Sequence, residues 1–318
     1  MTQAPSTMRA AVLEAYDAPF RLTQIAKPVA AAGQVLVHVT AAGLNPLDGK
    51  IRVGQAAHAH QPAPAVLGLD MAGVVETVGP GVEGFRVGDA VYGLTGGVGG
   101  HQGALAGYQV VDARLLAKAP ANLTAREAAA LPLVVITAWE GLVDRAKVSA
   151  GQSVLVIGAG GVGLAAIQIA QARGAVVTAI DNAAKRETVE RLGARFLDRE
   201  TPIIETFDIV YDTVGALDVA FGVVARNGHV VSSLGWGSVA LGPLSFKAAS
   251  YSGVFTLLPL LTGEGLAAHG EILRQATALV EAGKLVPRLD PRRFTLDQVD
   301  EAFAALVGTT DGKLVVEL

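Results

Sequence analysis

Val154-Leu155-Val156-Ile157-Gly158-Ala159-Gly160-Gly161-Val162-Gly163 decides the reading of this chain. A short apolar run feeds a glycine-rich turn, and a helical pattern follows from Leu164 to Arg173. Strand, G-x-G-x-x-G and helix in that order suit a dinucleotide pyrophosphate. Gly158 makes the tight turn, Gly160 lets the backbone approach phosphate, and Gly163 brings helix and strand together. Gly161 and Val162 open the helix, whose N-terminus offers unpaired N–H groups and partial positive charge to an anion.

One such motif among 38 glycines is weak by itself. Its neighbours strengthen it. A second apolar run, Val176-Val177-Thr178-Ala179-Ile180, ends in Asp181, followed by Asn182. A carboxylate there accepts hydrogen bonds from both ribose hydroxyls of NAD. The alternative is a ligand-free turn with Asp181 capping the next helix. The complete order of strand, turn, helix, strand and acid argues against it.

A chain of 318 residues has room for two domains with cores of their own. Half its residues are hydrophobic and 17% are charged, which fits a folded rather than a disordered protein. A net charge of −4, without runs of like sign, points away from nucleic acid and from anionic membranes. With no cysteine, disulfides, thiolate nucleophiles and cysteine-ligated zinc are excluded. No signal-peptide h-region precedes Met8, and the apolar stretch Ala128 to Trp139 is broken by Pro132 and too short to span a bilayer. A cytoplasmic location is expected.

Up to about Ala119 the pattern is short β runs punctuated by glycine and proline: Met8–Leu13, Gln34–Ala42, Ala72–Val78, Asp89–Tyr92 and Gly103–Val111. Thr124 with Glu127 reads as a capping box, opening a largely helical stretch to about Lys147. Strands and helices then alternate: Ser153–Ile157, Val162–Arg173, Val176–Ile180, Ala183–Leu192, Ile209–Tyr211, Leu217–Val224 and His229–Ser232. Such alternation gives a parallel sheet covered on both faces. Glu271–Ala282 and Leu296–Leu306 read as amphipathic helices, and Lys313–Leu318 as a strand returning to the β-rich part.

Several segments together resemble the medium-chain dehydrogenase/reductase superfamily, in its zinc-independent quinone oxidoreductase (zeta-crystallin-like) branch. They are Ala41-Ala42-Gly43-Leu44-Asn45-Pro46-Leu47-Asp48, Gly68-Leu69-Asp70-Met71-Ala72-Gly73-Val74-Val75, Val82 to Gly93, Ala129-Ala130-Leu131-Pro132-Leu133 with Thr137-Ala138-Trp139, the glycine turn, Asp212-Thr213-Val214-Gly215, and Gly312-Lys313-Leu314-Val315-Val316. The resemblance implies an α/β protein: a GroES-like β-rich catalytic domain from residues 1–124 and 263–318, and a Rossmann doubly wound parallel sheet over 125–262, with the active site in the cleft between. Zinc-dependent relatives have a cysteine at or beside Asn45 and a Gly-His-Glu at Gly68-Leu69-Asp70; those ligands are missing, so no metal is expected. His58-x-His60 is the one local metal-like pattern, and it lacks a third ligand.

Without metal, the chemistry open to a nicotinamide is direct hydride transfer to a carbon made electrophilic by conjugation. The resemblance implies reduction of a quinone or an α,β-unsaturated carbonyl. A 2-enal or enoyl-thioester reductase and a cofactor-binding protein with little turnover are the alternatives. It assigns Asn45 to cofactor or substrate, in competition with an N-cap role for the helix that Pro46 opens. Lys50 and Tyr92 are candidate donors to the substrate oxygen. Thr137, Val214, Gly215 and Phe255 are expected near cofactor. Asp181 favours NADH, whereas Lys185, Arg186 and Arg199 offer charge to the 2′-phosphate of NADPH; NADH is preferred. Relatives pair Rossmann sheets edge to edge, so a homodimer through the strand near Gly253 is expected.

Overall fold

A computed structural model describes residues 6–318. Two compact units emerge. The first holds the chain up to Leu133 with Leu257–Glu281 and Val286–Leu318; the second holds Val134–Thr256 with Ala282–Leu285. The changeovers thus fall later than 124 and earlier than 262. Residues Ala125–Leu133 stay with the first unit because they are pressed against it: a Cβ on Gly43 would lie 2.0 Å from the carbonyl oxygen of Ala129, and the Leu133 N–H donates to Asp70.

The second unit is a six-stranded, all-parallel sheet ordered Arg195–Asp198, Val176–Asp181, Ser153–Ile157, Phe207–Asp212, Val224–Ser232 and Ser250–Gly253. Its inner strands are continuous apolar runs, as a sheet covered on both faces requires. Val154, Leu155 and Val156 are all buried, and Leu155 and Ile157 join Val210, Phe221 and Val230 in one core. The chain steps outward from Ser153–Ile157 to the Arg195–Asp198 edge, then returns to lay Phe207–Asp212 on the other side of the starting strand. That reversal is the topological switch point of an open α/β sheet, where ligands bind beyond the strands' carboxyl ends.

The first unit is β-rich. Thr7–Leu13 pairs with Phe20–Ala26 and Ala65–Val66. A second sheet runs Phe294–Thr295, Val315–Glu317, Gln34–Gly43, Asp70–Val78, Ala90–Leu94 and Leu116–Lys118, with Tyr108–Asp112 also on Gln34–Gly43. The C-terminal strand does return to this unit, antiparallel to Gln34–Gly43. The helix Leu266–Glu281 covers the strand Leu116–Lys118.

Leu296–Leu306 opens on a 3-10 turn, Leu296–Gln298, before the α-helix Val299–Val307, and two further stretches differ from their expected form. Gly103–Val111 is a strand only from Tyr108 onward. The preceding residues run against the loop at Val66–Gly68, where Gly103 and Leu105 donate to Val66 and Leu67 carbonyls, and a Cβ on Gly103 would sit 2.3 Å from Leu67 backbone. The stretch 183–192 is not one helix: a 3-10 turn, Ala183–Lys185, capped by Asn182, precedes the α-helix Arg186–Arg191. Among the described residues, no helix is long and apolar enough to cross a membrane.

Candidate functional site

Three of the four glycines of the turn, Gly158, Gly160 and Gly163, do not share one reason to be glycine. Gly158 lies at φ +95°, and a Cβ there would meet Thr213 Oγ1 and Val214 Cγ1, each at 2.5 Å. Gly163 would put a Cβ 1.8 Å from the Gly158 carbonyl oxygen. Both are demanded by the chain's own packing. Gly160 is not: it caps the helix Gly161–Ala172 in an extended conformation, with no atom within 4 Å of a built Cβ. The N–H groups of Gly161, Val162 and Gly163 belong to the first turn, which has no intrahelical acceptors. A bare backbone, open space and a helix N-terminus at the switch point fit a diphosphate.

Asp181 braces this loop as well as facing it. Its Oδ2 accepts from the Ala159 N–H at 2.7 Å and its Oδ1 from the Asn182 N–H at 2.6 Å. Each oxygen keeps a lone pair for a ribose hydroxyl. The Asn182 side chain accepts from the Ala184 N–H, so it caps the next turn. An open groove of about 670 Å³ continues from there, lined by Ile157, Ile180, Asp181, Arg199, Val214 and Val223. Arg199 is paired with Glu200; Arg186 lies over the Phe196 ring and pairs with Glu190. Lys185 is half-buried in the capped turn and forms no ion pair among the described residues.

The other lip of the switch point is built by Asp212, whose role the sequence reading did not single out. Fully buried, its carboxylate accepts from the N–H groups of Val214, Gly215 and Ala216 and from Ser232 Oγ. This gathers the loop into a tight turn with Gly215 at φ +84°, and leaves Val214 exposed over the groove. Thr137 is buried; its hydroxyl meets Thr256 Oγ1 at 2.9 Å, and Thr256 in turn donates to Glu140. The Thr137 carbonyl accepts from Tyr211, just before the helix widens to a π-helical stretch, Glu140–Arg145. Phe255 is partly exposed, edge-on to Trp236.

In the first unit, sheet register assembles a polar cluster. Gly43 pairs with Asp70 on one side and Val315 on the other, so Asn45, Asp70 and Lys313 all emerge at one end of three adjacent strands. Asn45 Nδ2 donates to Asp70 Oδ2 at 3.0 Å, and Lys313 Nζ donates to Asp70 Oδ2 at 2.9 Å and to Asn45 Oδ1. The Asn45 side chain is therefore not the cap of the helix Pro46–Arg52. That turn is closed by Asp48, whose Oδ2 accepts from the Asn45 N–H. Asp48 is fully buried, with no partner for Oδ1 among the described residues, and burial pushes its carboxyl up to about 7. Asp70 and Lys313 lay within quoted motifs, but their pairing has no local signature.

Lys50 is exposed in the last turn of Pro46–Arg52, with no ion pair or hydrogen bond to its ammonium among the described residues. Its charge, after burial, helps lower the pKa of His58. The following residues Ile51 and Gly54 border a pocket of about 300 Å³ with Tyr16, His60 and Gln61. Tyr92 is not an exposed donor. It is fully buried, and its hydroxyl donates to the Leu273 carbonyl at 2.7 Å and meets Thr277 Oγ1 at 3.0 Å. The helix Leu266–Glu281 covers it, and burial raises the pKa of its hydroxyl. Among the described residues, no three His, Asp or Glu side chains are grouped to hold a metal.

These features are those of a two-unit nicotinamide-type oxidoreductase, and the chain belongs to the medium-chain dehydrogenase/reductase superfamily. Residues 31–121 match the alcohol dehydrogenase GroES-like domain, 188–316 the zinc-binding dehydrogenase family, and 141–234 the C-terminal domain of alanine dehydrogenase/PNT. Among curated relatives, a 2-methylene-furan-3-one reductase of Solanum lycopersicum is 37% identical, over 92% of this chain and 74% of its own. A chloroplastic NADPH-dependent alkenal/one oxidoreductase of Arabidopsis thaliana is also 37% identical, with the same coverage. The crystal structure of an alcohol dehydrogenase superfamily protein from Novosphingobium aromaticivorans superposes with a TM-score of 0.96 at 54% identity, covering 98% of this chain and 100% of that one.

Proposed function

We propose that this protein is a zinc-independent NAD(P)H-dependent oxidoreductase that reduces α,β-unsaturated carbonyls or quinones. The observation that carries the reading is Gly160: a glycine of the turn whose added Cβ would meet no atom of the described residues within 4 Å, set at a helix N-terminus on the switch point. The names of the tomato and Arabidopsis relatives support the substrate class.

A bound nicotinamide supplies the hydride. The chain's own residues hold it and receive the charge that develops on the substrate oxygen. Gly160 and the first helical turn bind the diphosphate; Val214 and Ile180 flank the adenosine groove; Lys50 and Asn45 donate to the oxygen. The residues present do not fit zinc. The chain has no cysteine, and Asp70 is already neutralised by Lys313. An ammonium donated to that carboxylate stands where a second cation would be repelled.

NADH is the preferred cofactor in this reading. The Asp181 carboxylate is tied to the loop by Ala159, so it cannot swing away from a 2′-phosphate. Arg186 and Arg199 are engaged with Glu190 and Glu200. Steady-state oxidation of NADH and NADPH with an enone, a quinone, an enoyl thioester and a simple aldehyde tests the whole reading. We expect enone and quinone turnover with NADH, and a shift toward NADPH of about tenfold or more in Asp181→Ser, from removing one charge repulsion. Turnover confined to the aldehyde, or to none of them, sinks it.

We also propose a homodimer. Ser250–Gly253 is an edge strand, and Trp236, Leu241, Phe246 and Tyr251 of the same unit are exposed, a liability unless paired. Sedimentation should give twice the 32.5 kDa chain mass; a monomer at assay concentrations refutes it.

A further inference from the structure

Asn45, Asp70 and Lys313 form a closed triangle that stability does not call for. Asn45 and Asp70 are buried, and the Lys313 side chain is only 9% exposed. Taking an ammonium and a carboxylate out of water is expensive, and an apolar replacement of similar volume is often no less stable. The triangle does, however, fix one thing without ambiguity. An ammonium only donates and a carboxylate only accepts. The amide oxygen of Asn45 must therefore face Lys313, and its NH2 must face Asp70, as the contacts show. Asp70 is itself held by the Leu133 N–H on its other oxygen, at 2.9 Å. The amide cannot flip, and among the described residues one of its N–H groups has no partner.

We propose that Lys313 is a positioning residue: braced by Asp70, it locks and polarises the Asn45 amide, so that the remaining N–H is a preset donor to the substrate oxygen on which charge develops. This rests on the reduction proposed above and names how that site is organised. Withdrawal of electron density through the amide oxygen strengthens the opposite N–H as a donor, since hydrogen bonds in a chain reinforce one another. A preset donor acts on developing charge more than on the ground state. The effect therefore falls on kcat rather than on NADH affinity.

The test is a double-mutant cycle in the full-length protein with NADH and an enone, using Lys313→Met, Asn45→Ala and both together. Each single change is expected to lower kcat by roughly 10- to 100-fold, with the dissociation constant for NADH, read by fluorescence, unchanged within about threefold. The double variant should be no slower than the slower single, because both remove one unit. Lys313→Arg should recover part of the loss. In the unliganded protein, the Asn45 side-chain N–H protons should exchange with solvent at least about tenfold faster in Lys313→Met than in wild type. If Lys313→Met does not fold, Asp70→Asn, which keeps the shape and the Leu133 contact, takes its place. Fold-losses that multiply in the double variant, a loss confined to NADH affinity, or unchanged amide exchange overturns the role of Lys313. Absence of enone turnover in wild type overturns the proposed activity instead, and the amide exchange still decides whether the lock exists.

Discussion

The glycine turn and the Asn45 triangle are both built at strand ends, but they are built from opposite materials. The turn is contiguous: strand, glycines and helix lie within Ser153–Ala172, and it works by leaving atoms out. The triangle gathers residues 45, 70 and 313 through register across three strands, and it works by putting charges in. A site of omitted atoms is tolerant of its surroundings and intolerant of any added one. A site of buried charges is held together by mutual compensation, and is disturbed when one member is left without its partner.

The largest effect should come from adding one carbon to the turn. In Gly163→Ala the new Cβ would lie 1.8 Å from the Gly158 carbonyl oxygen, closer than any relaxed contact. Alanine is favoured over glycine in a helix by only about 1 kcal/mol. The forced backbone shift exceeds that, so a net loss of about 2–3 kcal/mol or more is expected, seen as a lowered urea midpoint. Gly160→Ala adds the same carbon to open space at an extended position. Its stability should change by less than about 1 kcal/mol, while NADH affinity falls by about tenfold or more as the Cβ meets the diphosphate. A Gly160→Ala protein that binds NADH like wild type would break the contrast between the two glycines.

This difference in material also decides what could be read in advance. The turn and its flanking strands are legible because their signal is local and periodic: Val154–Ile157 and Val176–Ile180 are apolar runs, the first ending at Ile157 as expected and the second extending one residue further, to Asp181. The brace at Asp212 is not legible, although its motif is, because its four donors come from backbone and from Ser232 on the next strand. Asn45 was legible as a polar residue before a helix, but whether its amide capped that helix or turned inward depended on Lys313, hundreds of residues later. Tyr92 shows the same limit. Alternation along a strand says that a side chain faces one way, and not that the helix Leu266–Glu281 comes to cover it.

The triangle has a fourth neighbour that sharpens the comparison. Asp48 is buried beside it without a cation of its own, and its Oδ1 has no partner among the described residues. Burial raises its carboxyl from 3.8 to about 7; the nearby Asp70 charge adds to the rise, while the Asn45 N–H and Lys313 oppose it. The folded protein therefore holds a proton between about pH 4 and 7 that the unfolded chain has already released. Stability must fall as pH rises through that window and level off above it, because the unfolded state binds fewer protons there. In Asp48→Asn the side chain cannot ionise, and its carbonyl still accepts from the Asn45 N–H. The drop in thermal midpoint between pH 5 and pH 8 should then be smaller than in wild type by at least about 2 °C. An equal drop in both proteins would mean that Asp48 shares the compensation of the triangle after all, and that its charge is as well matched as that of Asp70.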